Sequence, residues 1–474
     1  MTIGGFRRGL AAATCAALAI GLAACAVPGR RAAAAPGAAR RATFAATVTA
    51  HPAGPVLGQT SNRYIGLSFE SGDLNSGRYD NVGNLPQLMR NLGRAVMRFG
   101  GNSVDTSYYG ISQGNLAGLV RLATATGWTV LFSENLGHFD ASEVTSDARA
   151  VSKALGGRLF ALACGNEPDI FTNAGLRAPG YSWGQYESQE SRCLTAIRAG
   201  APHAPIEGPD TANDIWLTYF AAAKKGSVRA LGQHFYPMGC GLGGRSPAQF
   251  DATLLSPGQV AKEAAFLTAS AKAARTARAP LRLTETNTAC NGGAPGASNT
   301  YATALWAVDY LLTGTEHGVS GFNFHTILTD CGGYTPLCEV GWNTYAAQPL
   351  YYGLLFTHLL GIGKLVPATV AAPRGDYLTA FALKPASGDV RLMVENLTGS
   401  DADVTLRPGG NPSTAAVLRL TGPSLLATGG VRIQGAAVAG NGTLTRGRAT
   451  TVSCAAGRCQ VTLPPYSAAL VTFR

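Results

Sequence analysis

Charge is scarce in this chain. Asp, Glu, Lys and Arg make up only 14% of its 474 residues, against 46% hydrophobic ones. That balance excludes global disorder and allows a sizeable core. Beyond the N-terminal leader region there is no Lys-rich block and no basic helix, so no nucleic-acid footprint exists. No CxxC pair or Cys/His cluster has zinc spacing, which excludes a structural zinc module. No GxGxxG opens a helix after the first strand candidate, which argues against a dinucleotide-binding sheet. No internal repeat is evident, which excludes a solenoid.

The charge that is present is unevenly placed. The formal net charge is +11, but Arg7, Arg8, Arg30, Arg31, Arg40 and Arg41 crowd the N-terminus, and removing these six leaves +5 for the body. Arg7 and Arg8 followed by "GLAAATCAALAIGLAA" read as an export signal with a positive start and an apolar stretch too short to span a membrane. It ends in "LAAC", Leu22 to Cys25, which resembles a bacterial lipobox with Cys25 lipidated. A plain secretory signal cut near "ACA" is the alternative. Residues 1–24 are thus expected to be a signal peptide of the lipoprotein type, and residues 25–42 a disordered tether. The expected location is a bacterial envelope, or outside the cell. Cysteine usage fits an oxidising compartment. Eight cysteines follow the leader, and proximity favours Cys331–Cys338 and Cys454–Cys459 while leaving the other four open.

From residue 61 to 358, short apolar strands alternate with helical patterns. The strand candidates are "YIGLSFE", "AVMRFGG", "WTVLFSE", "LFALACGNE", "APIEGPD", "ALGQHFYP", "LRLTETN" and "GFNFHT". Eight such units predict a (β/α)8 barrel of parallel strands. Residues 359–474 alternate apolar and polar residues between Gly, Pro, Asn and Asp, which predicts an antiparallel β-sandwich. "TFAATVTAHP", within residues 43–60, is strand-like and is expected to join that sandwich.

In a (β/α)8 barrel the chemistry sits where strands end. Polar residues there are costly unless they line a site. Glu167 ends the fourth strand candidate and Glu285 the seventh, 118 positions later, or three units of about 39. Two carboxyls so placed suit glycoside hydrolysis, one protonating the leaving oxygen and the other attacking the sugar. Alone, "NEP" is an ordinary helix start, and "TETN" says less. The pair together points to catalysis. Tyr236, ending the sixth strand, can hydrogen-bond Glu285 and hold it ionised. His234 reads equally as a packed core histidine or a site residue.

"MRFGGNSVD", "GNEPDIF", "EGPD", "QHFY" and "ETNTACNGGAP" resemble, in order, the strand-end motifs of glycoside hydrolase family 79, the heparanase and β-glucuronidase family. "GPSLLATGGVRIQG" and "LPPYSAALVTF" resemble its C-terminal sandwich. The resemblance runs from about Thr43 onward. It implies a retaining enzyme with Glu167 as acid/base, Glu285 as nucleophile and no cofactor or metal. It also implies sugar contacts from Glu70, Asn102 and Asn166, and His234 and Tyr236 are expected beside them among the substrate-binding residues. A uronate carboxylate would meet the backbone of Gly292 and Gly293, with Tyr334 completing that pocket. The "CGGYTPLC" loop departs from the vertebrate enzymes, and the long linker that the vertebrate proenzyme excises is missing, so activity as a single polypeptide is expected. The expected partner is an anionic, glucuronate-containing polysaccharide and the expected state a monomer. An exo-acting glucuronidase and a non-catalytic carbohydrate-binding lipoprotein are the alternatives.

Overall fold

Eight parallel strands close into a barrel, and all eight sequence segments named above supply one each. They are β1 (Ile65–Glu70), β2 (Val96–Gly100), β3 (Thr129–Glu134), β4 (Leu159–Cys164), β5 (Glu207–Thr211), β6 (Ala230–Phe235), β7 (Leu281–Thr286) and β8 (Val319–His325). β1 pairs with both β2 and β8, and β4 meets β5 through Leu162, whose N–H donates to the Pro205 carbonyl at 2.9 Å. The computed structural model describes residues 42–386 and 388–474. The expected leader, Cys25 and the tether up to residue 41 lie outside the described residues. No described helix is long and apolar enough to cross a membrane.

Side-chain alternation sorts the strands into two faces. Ile65, Leu67, Phe69, Met97, Phe99, Val130 and Phe132 pack into the large apolar core that also holds the helical Leu88, Met89, Leu119 and Leu122. The intervening residues face the barrel axis. Near the strand starts these include the apolar Val96, Leu131 and Phe160. Higher up they are polar: Ser68, Arg98, Asn323 and Thr284, all fully buried. The barrel interior is therefore apolar near the strand starts and a hydrogen-bonded stack above, where every member needs a partner.

The sandwich is built from antiparallel pairs with one exception. Thr43–Ala50 lies parallel to Asp401–Arg407, with Thr43 opposite Asp401, and antiparallel to Ala368–Ala371 on its other side. Its Val48 joins Val404, Leu406, Val461 and Val471 in a separate apolar core. Gly58–Gln59 also pairs with Lys364–Val366. The helix Pro349–Leu360, two residues longer than the expected boundary at 358, packs on the helix Tyr301–Glu316. The Tyr301 hydroxyl donates to Leu420 and Tyr466 carbonyls in the sandwich at 3.1 and 2.9 Å. Within "GPSLLATGGVRIQG" the strand is only Arg432–Ile433, because Gln434 and Gly435 both take positive φ and turn the chain.

Candidate active site

Arg98, in the middle of β2, organises the site. Its side chain is fully buried, a placement that is costly unless the guanidinium is paired. One terminal nitrogen donates to Ser68 Oγ at 3.0 Å and Glu285 Oε2 at 2.8 Å; the other donates to Asn166 Oδ1 at 2.8 Å and Asp210 Oδ2 at 3.1 Å. It thus ties the ends of β1, β4, β5 and β7 to β2.

Glu285 reaches this cluster through a β-bulge. Leu283 on β7 lies opposite Phe322 on β8, but Thr286 lies opposite Phe324, so three residues of β7 span two of β8. Thr284 and Glu285 consequently both serve the axis side, a re-aiming that bulges perform beside active sites. Tyr236 donates to Glu285 Oε1 at 2.6 Å. Burial alone would raise the Glu285 pKa, but His325, His234, Arg98 and the Tyr236 hydroxyl together pull it down to about 2. It is a carboxylate at any ordinary pH.

Glu167 stands where β4 has ended. Gly165 at φ +77° turns the chain, and Glu167 itself sits in the left-handed region at φ +48°, ψ +54°. A non-glycine residue there must be held by its surroundings. Its N–H donates to the Asp210 carbonyl at 2.8 Å, and its Oε1 lies 3.0 Å from His234 Nδ1. Its side chain keeps 13% exposure, so it can meet a ligand. Ligand-capable atoms of Glu167, His234 and Glu285 all lie within 4.8 Å of one another, which puts the two carboxylates across the barrel mouth at close range.

His234 is corrected from substrate binding to support. It is 1% exposed, and its ring is held between Glu167 and, at 3.6 Å, Asp210. Burial works against its charge, yet Glu285, Asp210 and Glu167 outweigh burial and Arg98, and raise its pKa to about 10. This sets a pH dependence. A raised value means that the His234 contribution to stability is complete below about pH 6.5 and is lost as the pH rises through about 10. Glu285, depressed from 4.5, contributes above about pH 4.5 and loses that contribution as the pH falls towards about 2. Urea unfolding across pH 4 to 10 is expected to show a fall in stability on the alkaline side, roughly from pH 6.5 upward. The alkaline leg should flatten in His234→Asn; an unchanged leg in that variant would remove His234 as its origin.

The remaining expected residues divide. Glu70 ends β1 with 24% side-chain exposure; it accepts from the N–H of Ser103 at 2.8 Å and from the Ser103 hydroxyl, and pairs with His325 Nε2 at 3.3 Å. A β-carbon on Gly101 would collide with that carboxylate, which explains the second glycine of "RFGG". Burial opposes ionisation of Glu70, but His325 and Ser103 hold its pKa low. Asn102 is exposed, and its Oδ1 accepts from Asn166 Nδ2 at 3.3 Å. Asn166 is buried, with its N–H on Asp105 at 2.7 Å. Tyr334 stacks on Tyr236 with ring centroids 6.1 Å apart and donates its N–H to the Gly292 carbonyl at 3.0 Å. The expected pair of free N–H groups is corrected at Gly293. Its N–H donates to the Cys290 carbonyl at 3.2 Å. A β-carbon there would lie 2.8 Å from Ser298 Cβ, so packing and a φ of +93° already demand glycine.

Three disulfides staple the loops of this mouth. Cys164–Cys193 ties the end of β4 to the helix Trp183–Gly200, Cys240–Cys290 joins the loops after β6 and β7, and Cys331–Cys338 closes the loop carrying Tyr334. Cys454–Cys459 spans a hairpin in the sandwich. Glu167, His234 and Glu285 converge closely enough to hold a divalent ion. The fit is poor, because both Glu285 oxygens are engaged by Tyr236 and Arg98 and His234 Nδ1 is engaged by Glu167 Oε1.

No family model matches the chain. A curated β-glucuronidase of Neurospora crassa is 28% identical over 209 residues, covering 36% of this chain and 34% of that protein. The match thus spans about a third of that relative's length. A 4-O-α-L-rhamnosyl-β-D-glucuronidase of Fusarium oxysporum superposes with a TM-score of 0.73 at 21% identity, over 91% of this chain and 100% of that chain. A family 51 arabinofuranosidase of Xanthomonas axonopodis pv. citri gives 0.69 at 14% identity, over 91% and 100%. The chain shares the barrel-and-sandwich fold of these glycoside hydrolases.

Proposed function

We propose that this chain is a retaining glycoside hydrolase of the family 79 type that cleaves β-glucuronosidic bonds in uronate-containing polysaccharides of the heparan sulfate kind. The observation that carries the reading is the pair Glu167, just past the end of β4, and Glu285, on β7, with carboxylate oxygens within 4.8 Å. A retaining mechanism needs carboxyl groups about 5–5.5 Å apart; an inverting one needs roughly 6.5–9.5 Å, to admit a water.

The roles follow from the surroundings. Glu285, ionised and aimed by Tyr236 and Arg98, attacks the anomeric carbon as the bond to the leaving oxygen breaks. That oxygen takes a proton from Glu167, whose Oε1 lies 3.0 Å from His234 Nδ1. The glucuronyl ester on Glu285 is then hydrolysed by a water that Glu167 deprotonates, and both carboxyls return to their starting state. Asn166, its Oδ1 fixed by Arg98 and one amide hydrogen given to Asn102 Oδ1, keeps its other amide hydrogen for a sugar hydroxyl. Glu70, Asn102, Gly292 and Tyr334 complete the sugar pocket. The choice of glucuronate rests on the two relatives named for glucuronides. Eight paired cysteines support export to an oxidising compartment; attachment through Cys25 and a monomeric state belong to the same proposal.

The test uses a chromogenic β-glucuronide, the matching β-glucoside and size-resolved heparan sulfate. Turnover of the glucuronide over the glucoside, with the β-anomer as first product by NMR, is expected, together with shortening of the polymer. Release of monosaccharide alone would replace endo by exo action. An α-anomer first product would overturn retention, and glycan binding without turnover of any substrate would leave a binding protein.

A further inference from the structure

Arginines gather at the opposite end of the barrel, where the strands begin. Arg94, Arg158 and Arg229 stand just before β2, β4 and β6, Arg63 lies two residues before β1, and Arg282 is the second residue of β7. In a parallel barrel all strand starts share one rim. A cavity of about 730 Å³ at this rim is lined by three of these arginines, Arg63, Arg94 and Arg158, with Ser61, Asn62 and Thr124, and, among the described residues, by no acidic one.

None of the five arginines forms an ion pair among the described residues. Arg282 is occupied by Asn323 and by the carbonyls of Arg63 and Phe322. Arg229 and Arg282 lie over the Phe160 ring, 4.9 and 5.5 Å from its centroid. The guanidinium groups of Arg63, Arg94 and Arg158 have no hydrogen-bond partner among the described residues. Burial and then the charge of Arg63 lower the Arg229 pKa, so the cluster repels itself. The carboxyl near Arg282, Glu207, is buried and held neutral. A multivalent anion would relieve that repulsion, and guanidinium groups with hydroxyl and amide neighbours match sulfate and carboxylate oxygens.

We propose that this cavity is a second binding site for the sulfate and carboxylate groups of an anionic polysaccharide, at the end of the barrel away from the candidate active site. It would hold the polymer while another stretch of it enters the mouth. The choice of a glycan over a free ion rests on the substrate class proposed above, but binding is read without turnover, so the two can fail separately.

The test is calorimetric titration of the whole chain, with Glu285→Gln added to parent and variants so that nothing is cleaved, by a heparin-derived octasaccharide and, separately, by inorganic sulfate; turnover is read without Glu285→Gln. The variants are Arg63→Ala/Arg94→Ala/Arg158→Ala and Thr124→Glu, which places a carboxylate in the cavity wall on an exposed position. Octasaccharide affinity is expected to fall roughly tenfold in both, with a weaker salt dependence, while any turnover of a small chromogenic substrate stays unchanged. Should the triple variant unfold, Thr124→Glu decides. Octasaccharide affinity and salt dependence equal to the parent chain would overturn the proposal. So would a loss confined to sulfate, since the cavity would then hold a free ion only.

Discussion

Replacing Glu285 by Gln is expected to lower kcat by on the order of 10⁶-fold, the scale of removing a covalent nucleophile. That is about 8 kcal/mol of barrel-mouth chemistry lost with one atom exchanged. Glutamine keeps the shape but has a single acceptor oxygen, so it can accept from Tyr236 or from Arg98 and not from both, and the loss would combine the missing negative charge with one missing contact. Glu167→Gln should behave differently. It would cost about 10²–10⁴-fold on a substrate whose leaving group needs a proton, and far less on an aryl glycoside whose leaving group departs unaided. Glu285→Gly supplied with azide should regain turnover and release a glycosyl azide, because a small anion fits where the carboxylate stood. A Glu285→Gln protein with activity near that of the parent would end the nucleophile assignment.

Arg98→Leu is expected to destabilise the fold by about 3–5 kcal/mol, the cost of removing one partner from a buried ion pair. The value is large because Arg98 faces two buried carboxylates, Glu285 at 2.8 Å and Asp210 at 3.1 Å. Arg98 is one cause of the depressed pKa of each. Without it both would bind protons more readily. The acid limb of any pH–rate profile should then move to higher pH, since the depressed Glu285 pKa is what keeps the carboxylate ionised in acid. Arg98→Lys should fall between, because an ammonium cannot reach four acceptors from one position. Urea midpoints and the pH profile measure the two effects separately, and a stable Arg98→Leu protein with an unmoved acid limb would contradict both.

The positions of Glu167 and Glu285 were legible because apolar strands end abruptly in polar residues, and counting strands places those ends around a ring. Which side of a strand an end residue takes was harder. Glu134 ends β3 but follows Val130 and Phe132 on the helix-facing side, so it is buried near Asp147 and Glu143 instead of joining the site. Alternation alone would have sent Glu285 the same way, with Leu281 and Leu283; the bulge in β7 turns it inward, and that depends on pairing with β6 and β8. Arg98 did carry a signal, a cation inside an apolar strand, but its four acceptors lie 30 to 187 residues away in sequence. The same distance hid two disulfides. Cys331–Cys338 and Cys454–Cys459 close short loops and could be expected from proximity, whereas Cys240–Cys290 exists because strands β6 and β7 are neighbours.

The strand Thr43–Ala50 has a consequence for how this molecule comes into being and how it can be divided. It is made first among the described strands, yet the strand it lies parallel to, Asp401–Arg407, is more than three hundred residues downstream. Until that partner emerges, an alternating apolar strand has both edges bare, the condition that invites pairing with other chains. The barrel can close earlier, but the two ends of the described chain are completed together. Cutting after the helix Pro349–Leu360 would therefore not release a clean barrel. It would release one that trails an adhesive ribbon, and a soluble catalytic fragment would require removal of Thr43–Ala50 along with the sandwich.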